Sequence, residues 1–332
     1  MDFLMLPLVV LALWKLEWKK DGFYDDGLSL EKTKALRGIL ALLVVLHHLH
    51  LYSPGGYLGM VYDLAGILCV TLFFFLSGYG LEKSARSKAG YGRRVLTKRI
   101  PAILVPYLAF TGIYWLGFGY SLKEVLQGFV NGFPIVANAW YIHCLLVLYL
   151  SFALGQMLFA KRFGAKRIWH LVVAVSWVWL CRWLNYPPHW YNAVIAFPMG
   201  IVWAEYEPKI RSLMEKRYFP AVAGCAPAFL GALAAALWTA DGEIVVTLFW
   251  LAMGLFVVLV YLVLMKVTVR NPLLLWIGEI SFEIYGIHGF FLSLYRSNLC
   301  YLENGILWGS AVLLSSLAAG WVLHGIFRRL LK

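Results

Sequence analysis

Along this chain, long apolar runs alternate with short polar connectors. About 20 consecutive apolar residues cross a bilayer as a helix, and runs near that length occupy about 35–52, 57–81, 100–120, 140–160, 168–184, 191–206, 218–238, 244–265, 273–295 and 306–327. The pattern predicts an all-α, polytopic transmembrane helical bundle of ten principal spans. A shorter apolar run over 3–14 adds a short N-terminal membrane or interfacial helix. It lacks a basic leading segment and a small-residue cleavage site, so it reads as an uncleaved helix and not a signal peptide. Two parts are expected: residues 1–34, the short helix with a polar linker, and residues 35–332, the membrane domain.

Composition changes the picture only by excluding alternatives. Of 332 residues, 62% are hydrophobic and 14% charged, far from the composition of soluble domains. The net charge of +12 does not imply a nucleic-acid partner, because the basic residues lie in connectors between spans. Counted from the linker, alternate connectors are basic: Lys15, Lys19, Lys20, Lys32 and Lys34; Lys83 to Arg99; Lys161, Arg162, Lys166 and Arg167; Lys209 to Arg217; Lys266 and Arg270; Arg328, Arg329 and Lys332. The intervening connectors at 53–56, 185–190 and 240–243, and most of 121–138, carry almost none. By the positive-inside rule the basic set is cytoplasmic. The five cysteines show no metal-ligand or redox spacing, so neither a disulfide framework nor a metal site is expected.

Chemistry is then sought in polar side chains at membrane depth. The first principal span carries Arg37 near one end and His47, His48 and His50 near the other. Eleven helical steps turn by roughly 1,100°, three turns plus about 20°, which puts Arg37 and His48 on one face about 16 Å apart. His47 and His50 fall well off that line. Histidine is the side chain suited to carry a proton near neutrality, whereas the alternative for both residues is structural: snorkelling for Arg37 and an interfacial bond for His48. Asp63 lies at a comparable depth and is a candidate to orient His48. Further along stand Phe73-Phe74-Phe75-Leu76-Ser77-Gly78-Tyr79, the basic residues Arg93, Arg94, Lys98 and Arg99 ahead of Pro101, and the pair Trp140-Tyr141. In the ninth span Ser281, Tyr285 and His288 share one face, and Glu279 and Glu283 form another i, i+4 pair. So many polar groups in one span indicate that it faces a cavity. A transporter or flippase using these charges is the rival class, and a scaffold without chemistry the third.

These elements together resemble the acyltransferase 3 family of polytopic membrane O-acyltransferases. The resemblance rests on Arg37 and His48 separated by ten residues, on the Phe73–Tyr79 segment, on Arg99-Ile100-Pro101 with Pro106-Tyr107, and on Ile280 to His288. They occur in the family's order; the chain departs from it at Thr71, where many members are acidic, and at Phe282, where the family has tyrosine. The resemblance implies transfer of an acyl group, usually acetyl, from cytoplasmic acyl-CoA (acetyl-CoA) to a hydroxyl of an extracytoplasmic acceptor such as a surface glycan. The setting it implies is a bacterial cytoplasmic membrane with lipid as the surrounding partner. It makes His48 the catalytic histidine with Arg37 as its helix partner, and Arg93, Arg94, Lys98 and Arg99 donor-side residues. Ser77, Trp140, Tyr141, Glu283, Tyr285 and His288 are further candidates, and no metal is called for.

Overall fold

The computed structural model describes residues 2–159, 162–239 and 242–331. The connector residues Lys161, Ala240 and Asp241 and the last residue, Lys332, lie outside the described residues. Of the described residues, 79% are helical. In chain order the helices are α1 (Met5–Leu13), α2 (Leu30–Tyr52), α3 (Gly59–Ser87), α4 (Tyr91–Phe118), α5 (Leu122–Val130), α6 (Trp140–Leu158) and α7 (Phe163–Trp183). They continue with α8 (Ala196–Lys216), α9 (Tyr218–Trp238), α10 (Gly242–Lys266), α11 (Pro272–Glu279), α12 (Ser281–Leu294) and α13 (Gly305–Leu330).

Seven of these, α2, α3, α4, α6, α9, α10 and α13, are long and apolar enough to cross a membrane. The chain is an integral membrane protein built as an all-helical bundle. The expected ten spans are therefore not all met as predicted. The run at 168–184 lies in α7, whose polar residues include His170, Ser176 and Arg182. The run expected at 191–206 is displaced: residues 191–195 are turns, and α8 continues to Lys216 through Glu205, Glu207 and Lys209. The expected span 273–295 is broken at Ile280 into α11 and α12. Glu279 and Glu283 therefore sit on different helices, not on one face of a continuous one.

Local chemistry explains several boundaries. The hydroxyl of Ser29 accepts from the Lys32 amide at 3.3 Å, so α2 starts at Leu30, ahead of its apolar run. Within α4, Val95–Arg99 form a π-turn in which the Ile100 amide donates to the Val95 carbonyl at 2.9 Å. Pro101 follows directly; a proline lacks the amide and crowds the carbonyl four residues back, so the ladder widens here.

Two helix pairs touch backbone to backbone. A Cβ on Gly38 of α2 would overlap the Leu274 carbonyl, and one on Gly278 of α11 the Lys34 carbonyl. In the same way Gly78 of α3 abuts the Phe197 carbonyl, and Gly200 of α8 the Phe75 carbonyl. Glycine permits this approach, as in many membrane helix pairs.

Segments that the charge alternation groups together are in contact. β1 (Leu16–Trp18) in the linker pairs antiparallel with β2 (Val267–Val269), Glu17 opposite Thr268. Lys83 reaches Glu207 at 2.8 Å, and Arg211 reaches Asp25 at 3.0 Å. At the same basic end, Lys166 of α7 is buried against Glu82 of α3 at 2.8 Å, with Gln156 of α6 on the other carboxylate oxygen at 2.9 Å. A second small ribbon, β3 (Arg296–Ser297) with β4 (Cys300–Tyr301), lies between α12 and α13. α1 connects both ends: Asp2, just ahead of it, accepts from the Tyr57 amide at 2.7 Å, and the Leu11 carbonyl accepts from Asn271 at 2.8 Å.

Candidate functional site

α2 passes through the middle of the molecule, packed on α3, α11 and α12, and it presents its two polar ends to different surroundings. At the histidine end, His48 meets His288 of α12, with His48 Nδ1 and His288 Nε2 at 3.0 Å and ring centroids 4.9 Å apart. His288 is fully buried. Its Nδ1 lies 2.7 Å from the Tyr285 carbonyl and 3.2 Å from that of Ile284. Carbonyl oxygens only accept, so His288 carries its proton on Nδ1 and presents a lone pair at Nε2. His48 Nδ1 must then be the donor across the 3.0 Å bond, and the lone pair of His48 is left on Nε2. The arrangement is a carbonyl–imidazole–imidazole chain that fixes both tautomers.

The other histidines of α2 are committed elsewhere. His47 Nδ1 donates to the Tyr62 carbonyl at 2.7 Å. His50 stacks on Tyr62 and has Asp63 3.5 Å from its Nε2. The expectation that Asp63 orients His48 is thus corrected: Asp63 serves His50, and the partner of His48 comes from a helix 240 residues away. His288 was singled out in the sequence by its helical face, but nothing local indicates whom it meets.

At the basic end, a cavity of about 950 Å³ opens between α2, α3, α4, α6, α8 and α12, walled by linker residues 25–30. Arg37, Ser77, Arg99, Tyr141, Glu283 and Tyr285 line it. Its carboxylates are all engaged. Glu207 takes Lys83 and the Tyr79 hydroxyl, both at 2.8 Å; Glu279 takes Lys34 at 3.2 Å; Glu283 takes His324 at 3.0 Å; Asp25 takes Arg211; and Asp26 takes Lys32 at 2.6 Å. Two guanidinium groups are not. Arg37 Nε donates to the Thr33 carbonyl at 3.4 Å and Arg99 Nε to the Tyr91 hydroxyl at 3.2 Å, and among the described residues no carboxylate forms an ion pair with either. An anion entering the cavity would meet these two unneutralised forks, which suit phosphate oxygens.

The cavity reaches toward the histidines at Tyr141 and Tyr285, whose rings lie 5.1 Å apart. Tyr141 and Tyr149 flank the Ser77 hydroxyl. The Tyr285 hydroxyl donates to the Asn138 carbonyl, in a turn where Asn138 takes the left-handed conformation (φ 63°) that asparagine tolerates. One turn further along α12, the His288 ring is 5.8 Å from that of Tyr285.

The predicted residues therefore divide. Arg37, Ser77, Arg99, Tyr141, Glu283 and Tyr285 converge on the cavity, and His48 and His288 form the pair beyond it. Arg93, Arg94 and Lys98 are exposed on α4 outside the cavity wall. Arg99 is the last residue of the π-turn ahead of Pro101. Trp140 stacks instead near His189, ring centroids 5.0 Å apart. The Phe73–Tyr79 segment includes Tyr79 but gives it no role; Tyr149 and the linker wall carry no signal in the sequence, because they depend on how α6 packs and on the linker folding back. No group of side chains able to hold a metal ion occurs among the described residues.

Residues 32–325 match the family model described as an acyltransferase domain, that of the acyltransferase 3 family. No curated protein and no solved structure matches the chain.

Proposed function

The chain belongs to the acyltransferase 3 family and is a membrane acyltransferase, and from that premise we propose that it transfers an acetyl group from cytoplasmic acetyl-CoA to a hydroxyl of an extracytoplasmic glycan. The observation that carries this reading is the free lone pair on His48 Nε2, fixed by His288 and lying beyond the inner end of a cavity whose unpaired cations are Arg37 and Arg99. In this account the acceptor hydroxyl gives its proton to His48 Nε2 as its oxygen attacks the thioester carbonyl. The tetrahedral intermediate collapses, the carbon–sulfur bond breaks, and the departing thiolate takes the proton back from His48. His288 accepts the Nδ1–H bond of His48 throughout and so steadies the imidazolium. Arg37 and Arg99 hold the donor by its phosphates. Because Arg37 and His48 stand about 16 Å apart along α2, the cooperation between them runs through the extended donor and not through contact.

The basic end is cytoplasmic in this reading, in a bacterial cytoplasmic membrane. The ten crossings are completed by α7, α8 and the α11–α12 pair. The test is labelled acetyl-CoA supplied to the protein in proteoliposomes with a hydroxyl acceptor on the opposite side. Wild type is expected to form labelled ester. His48→Ala should lose about 10²- to 10⁴-fold of that rate while inserting and folding normally. Wild-type turnover by the variant would overturn the assignment.

A further inference from the structure

Beside the main cavity, at the basic end of α3, α7 and α8, a second recess of about 340 Å³ is lined by Arg86, Phe163, Glu205, Tyr206, Pro208 and Lys209. Pro208 is common to both, so the recess adjoins the cavity wall. Its chemistry is mixed in a particular way. Arg86 sits over the Phe163 ring at 5.9 Å and 3.7 Å from Glu205, and Lys209 sits over the Tyr206 ring at 5.8 Å. Arg167 stands behind, bonded to the Tyr206 hydroxyl at 2.6 Å and 3.9 Å from Glu205. Among the described residues Lys209 makes no hydrogen bond or ion pair, and the buried Oε2 of Glu205 has no hydrogen-bond partner.

We propose that this recess binds the phosphorylated nucleotide end of the donor, an adenosine 3′-phosphate. Arg86 is also bonded to Glu82 at 3.2 Å, which Lys166 shares at 2.8 Å, so four cations stand beside two carboxylates, and the surplus favours phosphate. Two aromatic rings supply flat walls for a base. Glu205 Oε2, with Arg167 no nearer than 3.9 Å and no hydrogen bond of its own, has room for a hydrogen-bond donor on the same ligand, and a ribose hydroxyl or an adenine amino group provides it; a bare phosphate does not. The proposal rests on the acyl-CoA reading above and adds to it a division of labour: Arg37 and Arg99 face the middle of the donor, and Arg86, Arg167 and Lys209 its nucleotide end.

Binding of adenosine 3′,5′-bisphosphate to the purified full chain tests this without requiring turnover. Lys209→Gln removes a side chain with no bonded partner and should weaken binding about tenfold, the scale of one charge-assisted contact. Arg93→Gln, outside both recesses, should leave it unchanged. Where acyl transfer is also followed, Lys209→Gln should raise KM for acetyl-CoA by a similar factor, spare kcat, and leave acetyl-pantetheine kinetics untouched. Absence of bisphosphate binding, or equal affinity in wild type and Lys209→Gln, overturns the proposal. So does a Lys209→Gln effect confined to vesicles of anionic phospholipid, which would make the occupant a lipid headgroup. Binding without any acyl transfer by the wild type would support the nucleotide recess and reject the functional reading instead.

Discussion

The two ends of α2 solve opposite problems. At the histidine end His288 is sealed from solvent, with His48 bonded to it, and the polar atoms are matched in a neutral chain: a carbonyl, a donated proton, an imidazole, a second donated proton and one remaining lone pair. At the basic end the space is large and the charges are many, yet each carboxylate has a cation or histidine beside it, and the surplus is left on Arg37 and Arg99. A buried histidine can be specified by hydrogen bonds alone because it can stay uncharged. A guanidinium stays charged, so it is placed where water or a ligand reaches it. One helix thus presents a half-buried imidazole bonded to a sealed one at one end and a guanidinium in an open cavity at the other, and the backbone contact of Gly38 and Gly278 holds it against α11.

Substitutions at each end should separate these roles. The largest effect is expected on stability: Lys166→Met removes the buried partner of Glu82, leaving it the half-exposed Arg86 at 3.2 Å and Gln156, and should cost about 3 kcal/mol, the low end for a broken buried pair, in chemical or thermal unfolding. It would cut activity only in proportion to folded protein. Next, Arg37→Gln should lower kcat/KM for the donor by roughly 10- to 100-fold, because a charge-assisted bond to phosphate is lost, while unfolding stays near wild type. An equal effect on donor-independent binding of the acceptor would contradict a donor-side role. Smallest is Asp63→Asn, expected to change activity less than about threefold, as for an exposed ion pair. A large loss there would return Asp63 to the catalytic group and break the contrast between His48 and His50.

Much of this contrast was legible along the chain. The spacing of Arg37 and His48 places them on one helical face, and the alternation of basic connectors gathers the segments that pack together at one end. The apolar runs locate the helices but not their breaks: α11 and α12 divide at Ile280 inside a run with no proline there, and Glu279 beside it reads equally well as one polar position of a continuous helix. Nor could periodicity show that His288 turns toward His48 and Asp63 toward His50, since those choices depend on how α12 and α3 pack around α2. Arg93, Arg94, Lys98 and Arg99 read as one cluster, but of these four only Arg99 lines the cavity. Which guanidinium points inward depends on the three-dimensional course of α4.

The central claim, that His288 holds His48 in the tautomer with its lone pair on Nε2, is tested most directly by comparing His288→Gln with His288→Leu in the acyl-transfer assay. A glutamine carbonyl can accept the Nδ1–H bond of His48, and a leucine cannot. The glutamine variant should retain activity within about tenfold of wild type, and the leucine variant should fall by at least about 100-fold with its fold intact. Equal rates in the two variants would contradict the account.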